Sequence, residues 1–67
     1  MLRISKLTDY AILVMVELTR EGEVLSAHAL ADRVGIEVPT ASKVLKLLAG
    51  NGLLDSYRGP SGGYRAG

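Results

Sequence analysis

Three cations in the second half of the chain, Lys43, Lys46 and Arg58, are the residues best suited to bind a polyanion. Lys43 and Lys46 lie three residues apart, so on a helix they would share one side. Lys43 can reach a guanine edge or a phosphate, and Lys46 is expected at a phosphate. Arg58 precedes a glycine-rich segment and is expected in a minor groove. Together these residues indicate recognition of double-stranded DNA.

Small residues and hydroxyl groups surround these cations. Pro39, Thr40 and Ser42 are small enough to let base edges come close. The glycine-rich turn after Arg58 has little bulk, and we expect its free backbone amides to lie along the sugar-phosphate chain. The predicted DNA-binding residues are therefore Pro39, Thr40, Ser42, Lys43, Lys46, Arg58, Gly59, Ser61, Gly62 and Gly63. Further phosphate contacts are expected at Ser5, Lys6, Ser26 and His28.

Each of these features also has an ordinary explanation. Exposed lysines on a helix are usually solvated charges, and a glycine in a turn usually serves the turn alone. Leu47, beside the lysines, either meets a thymine methyl group or packs beneath the following hairpin. Only the order of the features along the chain raises DNA binding above these explanations.

The charges divide along the chain. Residues 1–38 carry four Lys or Arg and six Asp or Glu, a net charge of −2, whereas residues 39–67 carry four and one, a net charge of +3. The whole chain of 67 residues has a net charge of only +1. A nearly neutral protein can therefore present a basic face to a polyanion, although a solvated surface would show the same split.

The composition excludes several classes of function. The chain has no cysteine and one histidine, so it offers neither a disulfide nor a thiolate metal site, and His28 alone cannot hold zinc. There is no phosphate-binding loop and no catalytic set, so we expect no enzyme. The longest apolar run, residues 11–16, is shorter than the roughly 18 residues of a membrane span. We expect a cytoplasmic protein that does not enter a membrane.

Apolar spacing predicts three helices. The first covers residues 6 to about 20 and is apolar nearly all round, which indicates a further packing partner. The second begins after an N-cap at Ser26 and ends at Gly35, and Val24 and Leu25 before it either form a short strand or lead into the helix. The third begins at Pro39, as the first helical residue, and stops at residues 50–52. Its predicted inward residues are Ala41, Val44, Leu45 and Leu48.

The end of the chain predicts a β-hairpin, with strands at residues 53–57 and 64–66 and a turn at residues 58–63. A short helix, a turn containing glycine and a second helix with exposed cations are typical of a helix-turn-helix. The predicted fold class is therefore mainly α with a small β-hairpin, a winged helix-turn-helix of three helices plus a wing. One domain of residues 1–67 is expected.

Several motifs resemble one known family. They are S-K-L-T-D-Y-A at residues 5–11, the helix at residues 39–48, N-G-L-L at residues 51–54 and R-G-P-S-G-G-Y at residues 58–64. The sequence is similar over its whole length to the N-terminal DNA-binding region of the Rrf2 family of bacterial transcriptional regulators, which includes the IscR-like regulators. Residues 1–10 are most similar to the branch that regulates SUF iron–sulfur cluster assembly.

This resemblance implies a role for each matching position. It places Pro39, Thr40, Ser42 and Lys43 at the groove-facing start of the recognition helix and Arg58 in the minor groove. The glycines and Ser61 would shape the wing tip, and Ser5 and Lys6 would lie near the DNA backbone. From the order of cations and glycines we predict a homodimer that binds a partly palindromic operator, and the resemblance implies regulation of iron–sulfur assembly or redox-stress genes.

The sequence departs from the family in two ways. Related full-length proteins continue into a long dimerisation helix and a sensor region, where many hold an iron–sulfur cluster on cysteines. This chain is expected to lack that helix and region, and it contains no cysteine, so no cofactor is expected in it. An alternative function is a winged-helix module that binds another protein without specific DNA binding. Such a module would use the apolar first helix and the surface of the third helix, and would need neither Arg58 nor the glycine tip.

Overall fold

The computed structural model describes residues 6–60 and 62–67. Within them the elements are α1 (Lys6–Glu21), α2 (Ala27–Val34), α3 (Val38–Gly50), β1 (Leu54–Tyr57) and β2 (Gly63–Ala66). The predicted order of three helices followed by a hairpin is confirmed. No helix among the described residues is both long and apolar enough to cross a membrane.

The core lies where the three helices and the hairpin meet. All four residues of the predicted inward stripe of α3 are buried. α1 contributes Val14 and Leu18, α2 contributes Leu30, and Leu25 and Leu54 close the core beside the hairpin. The apolar side of each helix therefore packs against the others, which leaves the opposite side of α3 free for solvent or a ligand.

Local capping sets the limits of α2. The backbone N–H of Ala29 donates to the Ser26 hydroxyl oxygen at 3.0 Å, which confirms the predicted N-cap. At the other end Gly35 has a φ of 83°, a left-handed conformation that glycine adopts without steric cost. The N–H groups of Gly35 and Ile36 both donate to the carbonyl of Ala31, at 2.8 and 3.0 Å. The chain therefore reverses sharply into α3.

α3 begins one residue earlier than the sequence predicts. Val38 is its first residue and Glu37 its N-cap, so Pro39 occupies the second position rather than the first. The proline fits there because the first four N–H groups of a helix have no partner within it. At the other end Asn51 donates both its backbone N–H and its Nδ2 to the Leu47 carbonyl, at 3.2 and 2.7 Å. These bonds fix the last turn of α3.

The two strands form an antiparallel hairpin, the wing, in which Leu54 pairs with Ala66 and Tyr57 with Gly63. The predicted strand limits were wrong by one residue: Leu53 lies outside β1, and Gly63 belongs to β2 rather than to the turn. Leu25 forms an isolated bridge with Tyr64 through two backbone hydrogen bonds of 2.8 Å each. Leu25, just before the Ser26 cap, thus pairs with β2 as a one-residue third strand.

Ion pairs join α1 to α2. The Arg33 guanidinium lies 3.3 Å from a Glu17 carboxylate oxygen and 2.5 Å from a Glu21 carboxylate oxygen. The hydrogen bond to Glu21, and then that to Glu17, raises the pKa of Arg33. Glu17 also pairs with Arg20 at 3.9 Å. Arg20 and Arg33 in the first half of the chain are therefore paired with neighbouring carboxylates.

Candidate nucleic-acid interface

The outward side of α3 carries five of the ten predicted DNA-binding residues. Pro39, Lys43 and Lys46 are exposed, and Thr40 and Ser42 are half-buried. Pro39 and Lys43 are four residues apart and therefore lie one above the other, with Lys46 beside them. The buried stripe lies on the opposite side of α3, so the helix presents these residues away from the core. The first half of this exposed face is lined by small residues and lysines.

The cations on this side of the molecule remain available. Within the described part of the chain, Lys43, Lys46 and Arg58 form no ion pair, whereas Arg20 and Arg33 are paired with carboxylates. Unpaired cations on an exposed surface are what a polyanion can neutralise.

The wing presents Arg58 at the end of β1. Arg58, Gly59 and Pro60 are exposed, and Gly59 has a φ of 105° that favours glycine. Ser61, a predicted contact, lies outside the described residues. One expectation for the turn was wrong: the Gly62 amide is not free, because it donates to the Gly59 carbonyl at 2.9 Å. A side chain at residue 62 would also lie 2.5 Å from the Tyr57 carbonyl oxygen.

Gly63 has a structural role that its expected place in the turn did not reveal. A β-carbon there would overlap the Leu25 carbonyl group and lie 2.9 Å from the Ser26 backbone nitrogen. Only glycine lets β2 approach Leu25 closely enough for the two hydrogen bonds with Tyr64. The wing is therefore anchored directly beside the first turn of α2.

The residues expected at phosphates are dispersed. Ser26 and His28 are exposed at the start of α2, and Ser26 follows directly after Leu25, which pairs with the wing. The Ser26 oxygen accepts a bond from the Ala29 N–H, so its own hydroxyl proton remains available to a phosphate. Lys6 is exposed at the first position of α1, and Ser5 lies outside the described residues. The structure thus brings Ser26 beside the wing, places His28 in a pocket with Glu37 and Pro39 at the start of α3, and leaves Lys6 on a separate helix.

Two features of this surface were not identified from the sequence. Glu37, the N-cap of α3, is exposed and makes no side-chain capping bond, so a carboxylate lies beside the predicted groove-facing residues. Leu25 anchors the wing, although the sequence offered only a choice between a strand and a lead-in. The signal for Leu25 is weak because a two-residue apolar stretch has no measurable period.

These residues do not form a metal or cluster site. Iron–sulfur clusters are held mainly by cysteine thiolates, and the chain contains none. Within the described ranges, no group of three or more His, Asp or Glu side chains could hold a metal ion. The residues of this chain do not fit an iron–sulfur cluster.

Comparison with known proteins assigns the family. The model of the Rrf2 family, described as "Iron-dependent Transcriptional regulator", matches residues 4–66. The chain belongs to the Rrf2 family. The predicted resemblance is confirmed over nearly the whole sequence. No curated protein sequence matches the chain.

Two solved structures are similar to this Rrf2 domain. CymR (YrzC), the global cysteine regulator of B. subtilis, superposes with a TM-score of 0.90 at 28% identity over 98% of this chain and 53% of its own. IscR of T. potens superposes with a TM-score of 0.85 at 28% identity over 97% of this chain and 49% of its own. The chain therefore spans about half the length of these two proteins.

The family and the superpositions settle two predictions. The described helices and hairpin match the winged helix of CymR and IscR, so the predicted winged helix-turn-helix fold is confirmed. Rrf2 proteins are transcription regulators rather than enzymes, which agrees with the expected absence of catalytic chemistry. α2 and α3 thus form the helix-turn-helix, and the hairpin is its wing.

Proposed function

We propose that this chain is the DNA-binding part of a transcription regulator, with α3 in the major groove and the wing in a minor groove. The observation that supports this most directly is the set of exposed cations on α3 and the wing, Lys43, Lys46 and Arg58, none of which is paired with another described residue. Thr40 and Ser42 are half-buried, and their small side chains leave room for bases at the start of α3.

Sequence preference tests the proposal first. We would select binders for the 67-residue chain from a pool of randomised duplexes and measure the dissociation constants of the selected and a scrambled duplex at about 0.15 M salt. We expect the selected duplex to bind at least tenfold more tightly. Equal affinities for the two duplexes would contradict sequence-specific recognition.

Salt dependence then tests the role of the lysines. Each neutralised phosphate contributes about −0.9 to the slope of log affinity against log salt concentration. Lys46→Ala should therefore make that slope shallower by about 0.9. The matched control is Arg20→Ala, which removes the same charge from α1, where Arg20 is paired with Glu17. An equal change in the salt slope of both variants would show that Lys46 does not contact a phosphate.

The wing arginine has a different expected signature. A narrow minor groove attracts an inserted arginine through its enhanced negative potential, and that width depends on base sequence. Arg58→Ala should therefore reduce both affinity and the discrimination among base pairs that flank the half-site. Loss of affinity with unchanged discrimination would mean that Arg58 contacts phosphate only.

We further propose that two copies bind a partly palindromic operator. An apolar groove of about 310 Å³ supports self-association, and it is lined by Thr8, Ala11, Ile12, Met15, Val16, Leu48 and Leu53. Two helix-turn-helix units on one face of a duplex have half-sites about 10 base pairs apart. The selected sequences should show this two-fold repeat, and sedimentation should show two chains per duplex. A single half-site bound by one chain would contradict the dimer.

The regulated genes are inferred from the family. Its description names iron, and residues 1–10 resemble the branch that regulates SUF iron–sulfur cluster assembly, so we propose iron–sulfur assembly or redox-stress genes as targets. The same groove-facing surface would bind their promoters without a cluster in this chain. The selected sequence should occur upstream of such genes, and its absence there would contradict this assignment.

A further inference from the structure

The C-terminal half of the exposed α3 face carries two residues that nothing in the fold explains, Leu47 and Gly50. Leu47 is 47% exposed and is not among the hydrophobic residues that pack against the described core. It follows Lys43 by four residues and therefore lies on the same side of the helix. A large apolar side chain thus interrupts the basic surface that faces the proposed duplex.

Gly50 continues this side of α3. It lies in the helix and is absent from the glycines with positive φ, so its backbone does not require glycine. A β-carbon at Gly50 would have no atom within 4 Å outside its own helix, so no packing in the chain excludes a larger residue. Glycine is a poor helix former, and its use is explained where another molecule's backbone approaches closely.

Backbone hydrogen bonds hold this end of α3 in place. The Leu47 carbonyl accepts two bonds from Asn51, and the Leu48 carbonyl accepts the N–H of Leu53 at 3.0 Å. The last turn is therefore positioned rather than frayed, and Leu47 presents its side chain from a fixed backbone. Such positioning is what an apolar contact to one base requires.

We infer that Leu47 contacts the methyl group of a thymine and that Gly50 gives the duplex clearance beside it. The inference deepens the proposed function and rests on α3 occupying the major groove. The thymine methyl is the only apolar group that a base presents in that groove. Four residues along a helix span about 6 Å, close to two base-pair steps, so the thymine lies about two base pairs from the base or phosphate that Lys43 contacts.

Thymine-to-uracil substitution tests this contact, because it removes the methyl and keeps every hydrogen-bonding group. We would replace each thymine of the selected duplex in turn and measure binding of the 67-residue chain. We expect one position in each half-site at which uracil weakens wild-type binding about fourfold, the effect of exposing one methyl-sized group. Leu47→Ala should bind the thymine and uracil duplexes with equal affinity, whereas Leu47→Met should retain the difference.

The matched control is Leu13→Ala, the same substitution at a residue of α1 that is 50% exposed. This variant should keep the fourfold preference for thymine. A wild-type protein that selects its operator but tolerates uracil everywhere would overturn the inference while leaving the proposed function intact. Leu47→Ala with an unchanged thymine preference would also overturn it. A wild-type protein with no preference among duplex sequences would instead contradict the proposed function itself.

Discussion

The contact between Gly63 and the loop before α2 gives a direct prediction for Gly63→Ala. The added β-carbon would overlap the Leu25 carbonyl group and come within 2.9 Å of the Ser26 nitrogen. All of these are backbone atoms, so no side chain can rotate to make room. We expect β2 to move away from Leu25, taking the wing with it.

The cost follows from the bonds that this movement breaks. The Leu25 N–H donates to the Tyr64 carbonyl and the Tyr64 N–H to the Leu25 carbonyl, both at 2.8 Å. Each such bond contributes about 0.5 to 1.5 kcal/mol net, so the free energy of unfolding should fall by about 1 to 3 kcal/mol. For a domain of this size the melting temperature should fall by roughly 5 to 20 °C.

Urea denaturation measures this loss, with Gly67→Ala as the matched control. A β-carbon at Gly67 would meet the Leu53 carbonyl oxygen at 3.6 Å, an ordinary distance, so this variant should match the wild type. Hydrogen exchange of the Leu25 and Tyr64 amides should accelerate in Gly63→Ala alone. Equal stability of the two variants, with both amides still protected, would refute the steric reasoning.

Displacement of the wing should also change DNA binding in a defined way. Gly63→Ala should weaken binding of the selected duplex at least as much as Arg58→Ala does, because the displaced wing loses Arg58 together with the other contacts of the turn, while α3 keeps its own. The double variant should then bind no more weakly than Gly63→Ala alone, since displacement of the wing already removes the Arg58 contact. Additive losses would mean that the two residues act independently.

Three further variants test other parts of the structure. Ser26→Ala removes the acceptor of the Ala29 N–H and should cost about 1 kcal/mol in urea denaturation; unchanged stability would exclude the cap. Arg33→Ala should destabilise the protein at about 0.05 M salt and much less at about 1 M, and a salt-independent loss would contradict the ion pairs. Because the folded-state pKa of Arg33 is raised, its contribution is present below its unfolded pKa and should stay constant from about pH 6 to 9. Gly50→Ala should raise the free energy of unfolding by up to about 1 kcal/mol, yet bind the selected duplex severalfold more weakly. Unchanged binding would show that the duplex does not approach residue 50 closely.

The features that the sequence predicted well are those with local signals. Ser26 and Gly35 marked both ends of α2 because capping depends on residues within one turn. The apolar period of α3 predicted which of its residues are buried. The first residue of α3 was missed because a proline fits either of the first two helical positions.

The features that the sequence could not predict depend on residues far apart in the chain. Leu25 pairs with Tyr64, and Arg33 pairs with Glu17, and neither pairing leaves a periodic pattern. The reason for glycine at residue 63 exists only once Leu25 lies against it. The charge split along the sequence predicted a basic surface. Only the structure showed which cations are paired with carboxylates, and Lys43 is not one of them.

Chemical-shift mapping of the ¹⁵N-labelled chain with the selected duplex tests most directly whether α3 and the wing read DNA. We expect the largest shifts at residues 38–50 and at Arg58, with little change on the apolar groove of α1 beyond that caused by pairing of two chains. The same titration with the scrambled duplex should give weaker shifts on the same surface. Shifts centred on α1, with the amides of Lys43, Lys46 and Arg58 unmoved, would contradict DNA recognition by this face.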